Sequence, residues 1–234
     1  MTAALPVPDS KARPRHVELI ASPAQSAADW RKIRRVEHNK IEIAIVAAGL
    51  VVDDGMDFEA AKRQAVRQLG LPPKTALPSH DELEAAVREH IALYCPDSQP
   101  RELAALRDVA QAWMRRMQPF RPYLSGSVWR GTATLHSDIY LQLFCDDPKS
   151  AEIELINQGL AFEARMVQGF LGKPVPTLSL QAPCTALDQT VGVHLMVHDY
   201  DDLRGALRPD ANGRSPRGDL KALNDLMIQD PSHV

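Results

Sequence analysis

The stretch Leu124-Ser125-Gly126-Ser127-Val128-Trp129-Arg130-Gly131-Thr132-Ala133-Thr134-Leu135-His136-Ser137-Asp138-Ile139-Tyr140-Leu141-Gln142-Leu143-Phe144 decides the fold of this chain. A short apolar strand runs into Gly-Ser, a turn bearing Gly131 returns the chain, and an alternating strand opens with Asp138. Side chains on a strand alternate with period two, so positions 138 and 140 point to one face of the sheet.

Each part of this pattern suits phosphate chemistry. A Gly-Ser turn lets backbone N–H groups approach an anion, as a glycine-rich nest does. Ser127 adds a hydroxyl, and Arg130 lies in the same turn as a candidate phosphate partner. A pair of carboxylates at positions 138 and 140 would grip Mg²⁺, a hard ion that wants oxygen ligands. The sequence offers only the first, because position 140 is Tyr140. A phenol is neutral at pH 7 and a poor Mg²⁺ ligand.

The pattern resembles the signature of the nucleotidyltransferase-fold family, which reads hydrophobic-Gly-Ser, a spacer, then Asp-x-Asp. Ten residues separate Ser127 from Asp138, and Gly131 and Ser137 fall where minimal nucleotidyltransferases carry Gly and Ser. The resemblance implies an α/β (α+β) fold, a small mixed sheet with flanking helices, preceded here by a helical N-terminal region. It implies binding of an NTP, ATP being the expected one, and nucleotidyl transfer to a hydroxyl of a small molecule, RNA or protein. Carried onto this chain, Asp138 would be the Mg²⁺ ligand and a catalytic residue. Glu163, the one carboxylate inside a later predicted strand, would be the second catalytic candidate. Gly126, Ser127, Arg130 and Thr132 would bind the nucleotide. Tyr140 departs from the family, so the alternative is a catalytically degenerate nucleotide-, RNA- or protein-binding module of the same fold.

Composition sets the outer bounds. With 234 residues and 44% apolar content the chain can bury one good core or two small ones. A formal charge of −3 gives no global argument for nucleic acid or a membrane. The longest apolar run, residues 41–52, contains Glu42 and is far short of a membrane span. Cys95, Cys145 and Cys184 show neither metal spacing nor a disulfide framework. That usage suits a reducing compartment, and the expected location is cytoplasmic.

Along the chain, residues 1–25 read as a flexible tail and 26–99 as a helical region. Residues 100–230 read as the nucleotidyltransferase-like domain. The first helix is expected over 26–52, with Ser26 and Asp29 as a capping box and Ile41, Ala44, Ile45, Ala48 and Val52 inward. Asp57 caps a second helix ending at Gly70. Ser79 and Glu82 cap a third, inward at Leu83, Ala86, Val87, His90, Ile91 and Tyr94. A fourth has Leu103, Leu106, Ala110, Trp113 and Met117 inward. Oligomer formation, if it occurs, is assigned to these N-terminal helices.

After the Asp138 strand, Asp147-Pro148 opens a helix with Ile153, Ile156 and Leu160 on one face. Two strands over 161–167 and 175–180, joined at Gly172-Lys173, and a third over 190–198 follow. His194 on that last strand is a secondary site candidate. Arg208, Arg214 and Arg217 near the C-terminus could clamp phosphates, or pair locally with Asp202, Asp210 and Asp219. Ser215-Pro216 reads as the start of a final helix.

Overall fold

The computed structural model describes residues 23–209 and 213–229. The predicted tail up to residue 22 and Asp210 lie outside the described residues. Two compact units divide at His38, and the helix α1 (Pro23–Asp53) runs through the division. The larger unit, Asn39–Val234, carries everything that follows.

Its helical part comprises the second half of α1, α2 (Phe58–Gln68) and α3 (His80–Tyr94). Asp57 caps α2 by accepting from Ala60 N at 2.9 Å. Ser79 and Glu82 form the reciprocal capping box of α3. Ile43, Ala47, Ala48, Val52, Ala61, Ala65, Leu83 and Val87 form one hydrophobic cluster. Of the expected α1 stripe Ala44, Ala48 and Val52 are buried, whereas Ile41 and Ile45 are exposed and Ile43 and Ala47 are buried in their place. Tyr94 is likewise exposed, at the C-terminal end of α3. Because α1 starts at Pro23, position 26 lies inside the helix rather than at its start.

The second cluster lies on a six-stranded mixed sheet. The sequence builds α4 (Gln99–Arg116), β1 (Tyr123–Ser125), the one-turn α5 (Gly126–Arg130) and β2 (Ile139–Cys145). Then come α6 (Pro148–Asn157), β3 (Glu163–Gln168), β4 (Pro174–Cys184) and β5 (Gln189–Asp199). The chain closes with α7 (Leu203–Ala206), β6 (Arg217–Gly218) and α8 (Leu220–Gln229). The strand order is β3-β4-β5-β2-β1-β6, antiparallel except for the central parallel pair β2 and β5.

One face of this sheet is apolar. Leu124, Ile139, Leu141, Leu143, Leu178, Leu180, Val193 and Leu195 pack with Leu103, Leu106, Ala110, Met114 and Leu223 of α4 and α8. Burial at this scale is the main stabilising term of the unit. Two helix expectations change here. On α6 the buried residues are Ala151 and Leu155, and Ile153 and Ile156 are exposed. The last helix begins at Leu220, with Asp219 accepting from Ala222 N at 2.8 Å. Ser215-Pro216 precedes β6 instead, and Ser215 Oγ donates to Arg217 O at 2.6 Å.

The opposite face is polar and aromatic, and it is where the strand register assembles a site.

Candidate functional site

Register places six side chains in one rung across the sheet. Glu163 pairs with Ser179, Ser179 with His194, His194 with Tyr140, Tyr140 with Ser125, and Ser125 with Arg217. Directly paired residues on neighbouring strands share a face. Asp138 stands just before β2, on the same side as Tyr140 by the period of the strand. The next rung carries Gln142, to which the buried Arg217 donates a hydrogen bond. Beyond it, His198 lies against the rings of Phe144 and Phe170.

The centre of the rung is a hydrogen-bonded chain. His194 Nε2 lies 3.1 Å from Asp138 Oδ2, and His194 Nδ1 lies 2.8 Å from Ser179 Oγ. The hydrogen bond from His194 holds the Asp138 carboxyl below its ordinary value, against the opposing effect of burial, with the Gly192 backbone helping. An ionised carboxylate only accepts, so Nε2 carries the ring proton and donates it to Asp138. In the neutral imidazole, Nδ1 then accepts from the Ser179 hydroxyl.

Two local devices hold this arrangement. Gly192 has no side chain, and a Cβ built there would come within 2.4 Å of Asp138 Oδ1. With any larger residue at position 192 the carboxylate would have to shift from this place. The Tyr140 ring stacks on His194, centroids 4.8 Å apart and planes 23° apart. Its phenol is pushed up by burial first, then by the charges of Asp138 and Asp57.

Gly126 takes φ 75°, a left-handed conformation that glycine adopts without strain, and turns the chain beside the Tyr140 ring. The Ser125 hydroxyl donates to Tyr140 O at 3.3 Å. Ser127 O accepts from Thr132 N at 3.0 Å, which closes the turn capped by Gly131.

The sequence-named residues thus divide. Gly126, Asp138, Tyr140 and His194 come together, and Ser127 follows Gly126 in the turn. Thr132 is buried, and its backbone N–H closes the turn. Arg130 faces elsewhere: its Nε lies 3.2 Å from Glu84 Oε2 on α3. Glu163 is on the sheet edge, three strands from β2, and its carboxylate pairs with Arg165 at 2.5 Å. At about 4.8 Å per strand it stands roughly 14 Å from the Tyr140 register position, too far to share an ion with Asp138. The arginines separate too, Arg214 lying 4.0 Å from Glu84 and Arg217 bonding Gln142.

A cleft of about 590 Å³ opens at this rung, lined by Phe162, Glu163, Arg165, Ser179, Gln181 and His194, among others. Sequence reading missed Ser179 and Gly192. Their only signal was a polar residue or a glycine on the site-facing period of an otherwise apolar strand.

The donor set does not suit Mg²⁺. Asp138 is the one carboxylate of the central strands at this point, and its oxygens serve His194 and Gly192. Tyr140 and His194 occupy the neighbouring positions, and hard divalent ions prefer charged oxygens to both. Among the described residues no group of three His, Cys, Asp or Glu side chains is arranged to hold a metal. Nor is any described helix long and apolar enough to cross a membrane.

No family model matches the sequence, and no curated protein matches it. Solved structures of the Cid1 poly(U) polymerase are similar to part of it. The form with the UTP analog UMPNPP superposes with a TM-score of 0.31 at 20% identity, covering 51% of this chain and 37% of that one. The MgGTP-bound form gives 0.31 and 20%, over 51% and 39%. A cytoplasmic RNA terminal U-transferase gives 0.28 and 23%, over 44% and 31%. The chain spans about a third of the length of the solved structures it matches.

Proposed function

We propose that this protein is a nucleotide-binding module of nucleotidyltransferase-like fold that has lost metal-dependent transfer. The observation that carries this reading is the Asp138–His194 hydrogen bond of 3.1 Å. It ties up the one carboxylate that the resemblance would assign to Mg²⁺. Phosphoryl transfer is mostly positioning and charge neutralisation, and an NTP on this face would find neither a second carboxylate nor a free first one.

What remains suits recognition. The cleft combines an apolar wall at Leu160 and Phe162 with hydrogen-bonding groups on Ser179, Gln181 and His194. That mixture fits a flat polar ligand such as a nucleobase. The Gly126-Ser127 turn stands on the far side of Tyr140 from His194, where it would meet the phosphates. RNA presents the same two chemistries and is a partner of the same class.

The test is a calorimetric titration of the full chain with ATP and each other ribonucleoside triphosphate, in Mg²⁺ and again in EDTA. Binding that is indifferent to EDTA, with no pyrophosphate released in the presence of candidate hydroxyl acceptors, is the expected result. Pyrophosphate formation abolished by Asp138→Ala would restore the catalytic reading. Absence of binding by every nucleotide would remove both.

A further inference from the structure

Away from the sheet face, α3, α5, α8 and the segment before β6 enclose a second cavity of about 410 Å³. Its chemistry is dominated by Arg88, Arg130 and Arg214, with Trp129 on one wall. All three arginines converge on a single carboxylate. Arg88 Nη2 reaches Glu84 Oε1 at 2.7 Å, Arg130 Nε reaches Oε2 at 3.2 Å, and Arg214 Nη1 lies 4.0 Å from Oε1.

The exposures show which sign of charge faces the cavity. The Glu84 side chain is 5% exposed, whereas those of Arg88, Arg130 and Arg214 are 43%, 29% and 52% exposed. The anion lies underneath and the cations above it. One buried carboxylate neutralises one guanidinium, and Asp81 is the only other carboxylate in the lining. The cavity therefore keeps a net positive charge.

Arg88 and Arg130 also retain donors. Each guanidinium carries five N–H groups in a planar fork. Arg88 uses Nη2 alone, on Glu84 and on the Arg130 carbonyl at 2.8 Å. Arg130 reaches Glu84 through Nε alone. Glu84 thus anchors Arg88 by a hydrogen bond and Arg130 by an ion pair, and the other N–H groups of Arg88 and those of Arg130, its buried Nε included, have no hydrogen-bond partner among the described residues. Pre-set, partly desolvated guanidinium forks of this kind recognise tetrahedral oxyanions bidentately.

We infer that this cavity is a binding site for a phosphate dianion, either free or as the terminal group of a small phosphomonoester. It is separate from the nucleotide reading of the sheet face and does not depend on it. The volume exceeds that of the ion, and the Trp129 ring is held at the wall by donating Nε1 to Ser215 O at 2.8 Å. An ester therefore has room for its organic part.

The experiment is isothermal titration of the full chain, at constant ionic strength in chloride, with inorganic phosphate and separately with glycerol 3-phosphate, which has no base to engage the sheet face. Saturable one-site binding of phosphate is expected, weakened about tenfold or more in Arg88→Ala and in Arg214→Ala. Tighter binding of the ester assigns the site to phosphomonoesters, and binding of phosphate alone assigns it to the free ion. Arg88→Lys, which keeps the charge and loses the fork, should recover only part of the affinity if the variant folds. The inference is overturned if wild type shows no saturable binding of either probe, or if folded Arg88→Ala and Arg214→Ala bind as wild type does.

Discussion

His194 donates its Nε2 proton to Asp138 across 3.1 Å while its ring stacks on Tyr140, its register partner on the adjacent parallel strand. One imidazole thereby fixes both residues that a divalent ion would have to recruit. The consequence is electrostatic: the carboxylate finds its counter-group inside the protein rather than in a bound metal.

That relationship predicts a titration. The Asp138 carboxyl is held low chiefly by the hydrogen bond from His194. A carboxylate with a depressed folded value adds stability above its unfolded value, near 3.9, and loses it as pH falls through the folded value. The Asp138 resonance followed by NMR should therefore titrate below the ordinary aspartate range in wild type and move upward in His194→Ala. The stability change should stay within about 1 kcal/mol, because the pair is solvent-screened and Asp138 is nearly half exposed. An unmoved midpoint would mean that the backbone, not His194, holds the carboxylate.

Two glycines distinguish the site from the scaffold. At Gly192 an added Cβ meets only the movable end of Asp138, so Gly192→Ala should break the Asp138–His194 bond and cost about 1 kcal/mol. At Gly218 the added Cβ would come within 2.2 Å of the Trp129 ring. That ring must shift, so Gly218→Ala should cost about 1–3 kcal/mol, as overpacking does. Urea unfolding of both variants, with the Asp138 titration repeated on Gly192→Ala, separates the two effects. Equal costs with an intact Asp138 titration would contradict the assignment of Gly192 to the site.

Much of this architecture was legible because local physics repeats. The caps at Asp57, Ser79 and Asp147 and the period-two strand from Ile139 are decided within a few residues. The rung was not legible, because it depends on register between strands far apart in sequence. Nothing near Ser179 says that it will face His194, and nothing near Glu163 says that β4 and β5 will separate it from Asp138. Arg130 lies away from the rung for a related reason. Within its turn it looks placed to serve the sheet face, yet the buried Glu84 on α3, distant in sequence, draws it into the other cavity. On α1 the buried Ala44, Ala48 and Val52 were legible, but alanines and β-branched residues surround the helix, and tertiary packing chose Ile43 over Ile41.

His198 supplies a pH dependence of its own. It is 1% exposed, and burial, reinforced by the Arg217 charge and opposed by Asp202, lowers its value to about 4. Between the unfolded value near 6.5 and about 4, the unfolded chain takes up a proton that the native imidazole refuses. The His198 contribution to stability therefore falls as pH falls through that window, by roughly 3 kcal/mol in full. Thermal unfolding at pH 7.5, 6 and 5 should show this slope, and His198→Phe, which keeps the stack with Phe144 and Phe170, should flatten it. A slope unchanged in that variant would place the titrating group elsewhere.

The strongest test of the site rebuilds what it lacks. Tyr140→Asp combined with His194→Asp places two new carboxylates on directly paired positions of β2 and β5, beside Asp138 on the same face. Neighbouring strands lie about 4.8 Å apart and alternate residues of one strand about 7 Å, so three carboxylates would surround one point at distances that side chains can close around a divalent ion. Removing His194 also releases the Asp138 oxygens. Tyr140→Asp alone should do less, because His194 would still engage Asp138. Calorimetry with Mg²⁺ and Mn²⁺ should detect saturable binding in the double variant, weaker binding in the single one, and none in wild type that Asp138→Ala removes. A folded double variant without metal affinity would show that the strand geometry is wrong for an ion. Mg²⁺ binding by wild type that depends on Asp138 would show instead that the His194 hydrogen bond yields to the metal, and the transfer reaction would again have its cation.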